Sequence, residues 1–284
     1  MCIRTARRVV IVVILSLIGP RPGFAQDLNG FFPAPGEMQL ALSYSSESWD
    51  EFWRGSEKVG TPPGLGKADI SSVNLWLRYG VSRRLALVAN LPYVDAHSDG
   101  NPGFDESSLQ DLTVLAKYRF AEYGGHGGDR RLRHVLAVAG GVRTPAADYE
   151  ANLPLDVGDG TTDVLFRFVY QLERGRFYLS QQVGYDLRSE DAPDGFPFYT
   201  ELGFRTGRVT WIGSLHALWA DGGTDIGDPG FTFPSNRDEY QKIGARIFAR
   251  LNERLGLTAG VFETLDGRNS ADSSGFFAGL VINR

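Results

Sequence analysis

The chain has 284 residues, 42% hydrophobic and 12% aromatic, with 29 basic against 34 acidic side chains and a net charge of -5. That acidic balance argues against nucleic acid as a partner, because phosphate binding rests on clustered Lys and Arg. The hydrophobic fraction excludes neither a soluble protein nor a transmembrane barrel, whose strands turn half their side chains to water, while 35 glycines, many aromatics and only two methionines favour an all-β protein.

Residues 1 to 25 read as a secretory signal. Arg4, Arg7 and Arg8 form the basic start, Val9 to Ile18 the apolar run, and Gly23-Phe24-Ala25 the small-x-small cleavage site. The run is shorter than the ~20 apolar residues that span a bilayer, and Gly19-Pro20 ends it. Removing Arg4, Arg7, Arg8 and Arg21 leaves 25 basic against 34 acidic residues, a net charge near -9. The only cysteine, Cys2, leaves with the signal, so residues 26 to 284 can form neither disulfides nor a cysteine-zinc site.

From residue 26 onward no stretch approaches a transmembrane helix, so a membrane form must be a closed barrel. Period-two hydrophobicity predicts twelve strands: 36 to 47, 68 to 81, 84 to 96, 109 to 121, 132 to 143, 161 to 173, 176 to 188, 196 to 206, 208 to 220, 239 to 251, 254 to 265 and 274 to 283. Ser82-Arg83, Arg174-Gly175, Gly207 and Asn252-Glu253 read as tight turns, alternating with longer polar loops. Such alternation is expected of an up-and-down outer-membrane barrel with both termini on the periplasmic side. The connection from Glu122 to Arg131 is long for its side.

Charge keeps to one parity within the strands. Leu112, Val114, Ala116, Tyr118 and Phe120 oppose Asp111, Thr113, Lys117 and Arg119, and Val164, Phe166, Phe168, Tyr170 and Leu172 oppose Asp163, Arg167 and Gln171. Facing lipid at mid-membrane costs a charge ~2–4 kcal/mol, so the charged face belongs inside. Gln181 is the visible blemish on the apolar face. A soluble β-barrel would alternate as well, but the number of strands, the aromatics at strand ends such as Tyr79, Tyr93, Trp211 and Trp219, and the unequal loops favour the membrane.

Arg78, Lys117, Arg119, Arg167, Arg188, Arg205, Lys242, Arg246 and Arg250, with Asp111, Asp163, Asp186 and Glu201, are the candidate lumen-lining residues. Such a net basic lining either tunes permeation by charge or forms an ion-pair network that fills a narrow barrel. His97, His126, His134 and His216 have no metal spacing, and no serine or acid forms a recognisable catalytic group with them, so neither an enzyme nor a cofactor is expected. Asp156-Val157-Gly158-Asp159-Gly160 lacks the EF-hand spacing and reads as an acidic loop with turn glycines. Asp50, Glu51, Asp105, Glu106, Asp225 and Asp228 in the outer loops are candidates for divalent cations shared with lipopolysaccharide, the expected partner alongside membrane lipid.

Tyr79-Gly80-Val81, Asn90-Leu91-Pro92-Tyr93-Val94, Leu109-Gln110-Asp111-Leu112 and Lys117-Tyr118-Arg119-Phe120 follow one another in the order of a known family's motifs. Gly141-Val142-Arg143-Thr144-Pro145 and Gly158-Asp159-Gly160-Thr161-Thr162-Asp163 extend the match. The chain resembles the outer-membrane family named for the meta pathway of phenol degradation. The resemblance implies a transporter-type barrel associated with the breakdown of aromatic or other apolar compounds. Gln110 replaces that family's glycine, and Gly279 to Arg284 lacks the terminal aromatic that many such barrels carry as an assembly signal.

The leading expectation is a passive outer-membrane channel for small molecules, with apolar or aromatic ones implied by the resemblance. The alternative is a closed structural or adhesion barrel acting through its acidic outer loops. The sequence does not decide whether residues 26 to 35, with Phe31-Phe32-Pro33, enter the lumen as a plug.

Overall fold

A computed structural model describes residues 28–61, 64–124, 132–151, 155, 157–158, 160–189, 192–229, 231 and 234–284. The signal segment expected over residues 1 to 25 lies outside them, as does His126. The strands are β1 (Met38–Trp49), β2 (Glu51–Arg54), β3 (Glu57–Gly60), β4 (Ala68–Gly80), β5 (Leu85–Ser98), β6 (Glu106–Leu109), β7 (Asp111–Gly124) and β8 (Arg133–Pro145). They continue with β9 (Asp163–Arg174), β10 (Phe177–Leu187), β11 (Asp194–Thr206), β12 (Val209–Asp221), β13 (Glu239–Arg250), β14 (Leu255–Arg268) and β15 (Ser274–Asn283).

Twelve of these form one closed antiparallel wall: β1, β4, β5 and β7 to β15 each pair with both neighbours, and β1 joins β15 to β4. The seam is tight, for Met38 and Arg284 exchange both backbone hydrogen bonds at 2.8 Å. Closure leaves no edge, as a sheet in lipid requires. The expected strands are all present, with modest shifts. β1 begins at Met38 because Gly36, at a φ of 84°, and Glu37 turn the chain, and β14 runs on to Arg268.

Two departures from a regular ladder matter for the interior. β6 and β7 together act as one stave on β5, broken at Gln110, whose N–H reaches the carbonyl of Pro92 at 2.9 Å. A bulge between Arg119 and Ala121 shifts the register of β7 on β8, so Glu122 stands opposite the buried Val135.

The outward parity is apolar: Val73, Leu75, Val114, Phe166, Val183, Leu202, Ile243, Val261 and Phe276 are all exposed. An apolar belt of this extent has no place in water and suits lipid. Gln181 faces outward between Leu179 and Val183. Outward charge begins only beyond the aromatics: Asp95 follows Tyr93, and Glu263 lies opposite Ser274, past the Val261–Phe276 pair.

At the long-loop end the connections fold over the mouth. The β2–β3 hairpin, absent from the expected strands, brings Phe52 against Ala271, and both join a buried cluster with Trp49, Leu65, Leu155 and Ile226. Asn269 ties this cap together from a left-handed backbone at a φ of 48°. Its side chain accepts from the N–H groups of Gly55 (2.8 Å) and Ile226 (3.0 Å) and donates to Asp225 and to the carbonyl of Arg237.

Candidate functional site

At the short-turn end the residues preceding β1 run inside the barrel. The Leu28 N–H donates to Gln182 Oε1 on β10 at 2.8 Å, and the Gly30 N–H to Gln171 Oε1 on β9 at 2.7 Å. Lys117 on β7 donates to the carbonyls of Asn29 (2.8 Å) and Phe31 (2.7 Å), and Arg78 on β4 also reaches the Phe31 carbonyl at 3.1 Å. The chain leaves its N–H and C=O groups open here because Pro33 and Pro35 interrupt any ladder, so wall side chains serve them instead.

Close approach depends on two glycines. A Cβ at Gly30 would stand 2.4 Å from Gln171 Cβ, and one at Gly80 only 2.1 Å from the carbonyl oxygen of Ala34. Leu28 and Phe32 pack with Val88, Leu115, Ala137, Leu165 and Val169, an apolar strip of inward side chains. The Phe32 ring lies under Lys117 at 4.1 Å and Arg119 at 5.3 Å, and the Phe31 ring meets Tyr178 edge-on at 5.0 Å beneath Arg205. Cations over ring faces add attraction that grows as water is excluded.

Further charges pair across the interior. Glu201, 1% exposed, accepts from Tyr178 at 2.5 Å and from Tyr199, and forms an ion pair with Arg246 of β13. Arg205 meets Glu173 at 3.3 Å, and Lys242 meets Glu47 at 2.6 Å. Nearer the loops, Arg167 pairs with Asp186, Asp163 is fully buried against Arg143 with Arg188 at 3.9 Å, and Asp111 accepts from Tyr149. Arg119 pairs with Glu122. Arg250 stands apart, exposed at the short-turn end.

Between the N-terminal segment and the wall lies a cavity of about 330 Å³, lined from β1, β4, β5, β7 and β10 to β15. Leu28, Phe31, Ile212, Phe248, Phe277 and Val281 are its apolar lining, and Arg78, Tyr178, Glu201 and Arg246 are among its polar lining.

Residues 69–279 match the family described as "Putative MetA-pathway of phenol degradation". The chain belongs to this family. Among solved structures, this phenol-degradation-pathway family barrel is similar to an outer membrane channel from Pseudomonas putida F1, at 15% identity and a TM-score of 0.71, covering 93% of this chain and 99% of that one. The shared fold is therefore that of an outer-membrane channel barrel. A more distant likeness, at 12% identity and a TM-score of 0.46, is to the translocator domain of the autotransporter NalP from Neisseria meningitidis, covering 88% of this chain and 89% of that one. No curated protein matches the chain.

In this family barrel, the expected lumen set falls into three groups. Arg78, Lys117, Arg119 and Arg205 surround the N-terminal segment; Glu201 and Arg246 form a buried pair; Asp111, Asp163, Arg167, Asp186 and Arg188 lie towards the loops, with Lys242 on the opposite wall. Gln171, placed inward with Asp163 and Arg167, is found there, whereas sequence reading missed Glu47, Glu122, Arg133, Arg143, Glu173 and Gln182, although all six follow the inward parity of their strands once the bulge is counted. Four of the six loop carboxylates proposed for cations are engaged with the protein: Glu51 with Lys58 at 3.2 Å, Asp105 with His97 at 2.8 Å, Glu106 with the Glu150 N–H at 2.8 Å, and Asp225 with Arg268. Among the described residues no group of three or more His, Cys, Asp or Glu side chains could hold a metal ion.

Proposed function

We propose that the protein is a passive outer-membrane channel for small molecules, closed at rest by its N-terminal segment. The observation that carries this reading is the nature of the obstruction. What fills the short-turn half is the segment preceding β1, fixed by six wall-to-segment hydrogen bonds, not a core built from the wall itself. These bonds run to side chains of the wall, whose strand ladders close without the segment, so the segment can leave without disturbing the strands.

The test is a planar-bilayer recording of the folded full-length protein beside a variant lacking residues 28 to 35. The variant should conduct with a larger unitary step than the full-length protein. Absence of conductance and of solute flux from both, with folding checked by heat-modifiable gel mobility, would sink the channel reading.

One observation favours the second reading, a closed structural barrel acting through its outer loops. The buried cluster around Trp49, Phe52, Leu65 and Leu155 makes the loop end a small folded cap rather than a set of free loops. Normal solute uptake in a deletion strain, together with altered envelope binding, would favour that reading over the channel.

A further inference from the structure

We infer that the 330 Å³ cavity is a binding site for a small amphipathic organic anion, one carboxylate on an apolar body. The inference rests on the channel reading and adds the chemical class of the solute. Its first support is the pattern of unmet hydrogen bonds. Three lining residues carry buried polar atoms without a partner, and all three atoms are donors: Trp76 Nε1, Arg78 Nε and Arg246 Nε. These atoms are turned away from the open space, so each meets an acceptor held there only when its side chain turns; a buried donor left unmet costs about 1–3 kcal/mol, which favours that turn.

The second support is charge. Arg78, Lys117, Arg205 and Arg246 line the cavity with a single carboxylate, Glu201, whose oxygens already serve Arg246, Tyr178 and Tyr199. Arg205 has Glu173 beside it, but among the described residues no carboxylate pairs with Arg78 or Lys117. The site is therefore cationic as well as donor-rich, and guanidinium N–H groups suit carboxylate oxygens.

The third support is the apolar part of the lining, which adjoins the cations: Ile212 is the register partner of Arg246, and Phe248 lies two residues from it on the same face of β13. Ile212, Phe248, Phe277 and Val281 offer an apolar surface that an inorganic anion would leave unused. A cavity of about 150 Å³ already accommodates benzene, so this one has room for a substituted ring or a short chain. Because Leu28 and Phe31 form part of the lining, a molecule held here touches both the wall and the plug.

Isothermal titration of the folded full-length protein in detergent with benzoate, benzyl alcohol and benzylamine tests the site. Benzoate should bind saturably and at least about tenfold tighter than the neutral and cationic analogues, as expected for a charged acceptor meeting guanidinium donors. Trp76→Phe, which keeps the ring but loses one donor, should weaken benzoate about fivefold. Val281→Trp, which fills the apolar part, should abolish binding. Equal binding of benzoate and benzylamine, no binding at all, or benzoate binding undiminished by Val281→Trp would overturn the inference. Conductance in potassium chloride separates the two claims: conductance without benzoate binding removes the site and leaves the channel, whereas benzoate binding without conductance supports the site and removes the channel.

Discussion

The Lys117 ammonium donates to the backbone carbonyl of Phe31 at 2.7 Å, from a side chain that is 1% exposed. It also reaches the carbonyl of Asn29 at 2.8 Å, so one wall cation fixes two points of the segment. Replacing it with methionine keeps the stem and removes both bonds. Amide exchange in residues 28 to 34 should then quicken about tenfold or more, the effect of losing roughly 1.4 kcal/mol of local protection. Unitary conductance should rise with it. Exchange unchanged from the parent protein would mean that Lys117 does not hold the plug.

Glu201 and Arg246 form a different kind of contact, a pair linking β11 to β13 through the interior. Glu201→Gln leaves Arg246 without its counter-charge, and breaking a buried pair in this way costs about 3–5 kcal/mol, less where water reaches the guanidinium. Urea unfolding in detergent, followed by tryptophan fluorescence, should show the loss. The double variant Glu201→Met with Arg246→Leu should be less damaged than Glu201→Gln alone, because no charge is stranded. A Glu201→Gln protein as stable as the parent would contradict this account.

At the loop end, Arg268, bonded to the Asp225 carboxylate, holds that group below the usual carboxylate range. A folded-state value depressed relative to the unfolded one gives stability that is complete above the ordinary range near pH 4 and is lost as pH falls through the depressed value. The loop cap should therefore resist acid-active protease equally at pH 6 and pH 5, and open below about pH 4. Asp225→Asn should loosen the cap already at neutral pH, since Arg268 loses its counter-charge and one of its two acceptor oxygens, while Oδ1 remains for Asn269. Cap opening that began at pH 6 would point to another group.

The wall was legible because the sequence carries two independent signals for it, apolar alternation and the confinement of charge to one face. Those signals give the side on which Glu173 or Arg143 lies, but not its partner, which depends on register. The bulge at Arg119 and Ala121 shows how little it takes to move one. The cap was not legible, because Phe52, Leu65 and Ile226 come from separate loops and have no periodicity to announce that they pack together. The N-terminal segment was undecided for a related reason. The wall grips it largely through backbone carbonyls and N–H groups, which every residue possesses, and only Gly30 and the aromatics Phe31 and Phe32 leave a trace in its sequence.

The partners of the N-terminal segment also impose an order on assembly. Leu28 and Gly30 precede β1, yet the amides that receive them, Gln182 and Gln171, stand 154 and 141 residues later. Contacts this distant in the chain form late, once intervening strands have brought their ends together. A growing barrel is therefore hollow until β9 and β10 are in place, and the first described residues are among the last to find their seats.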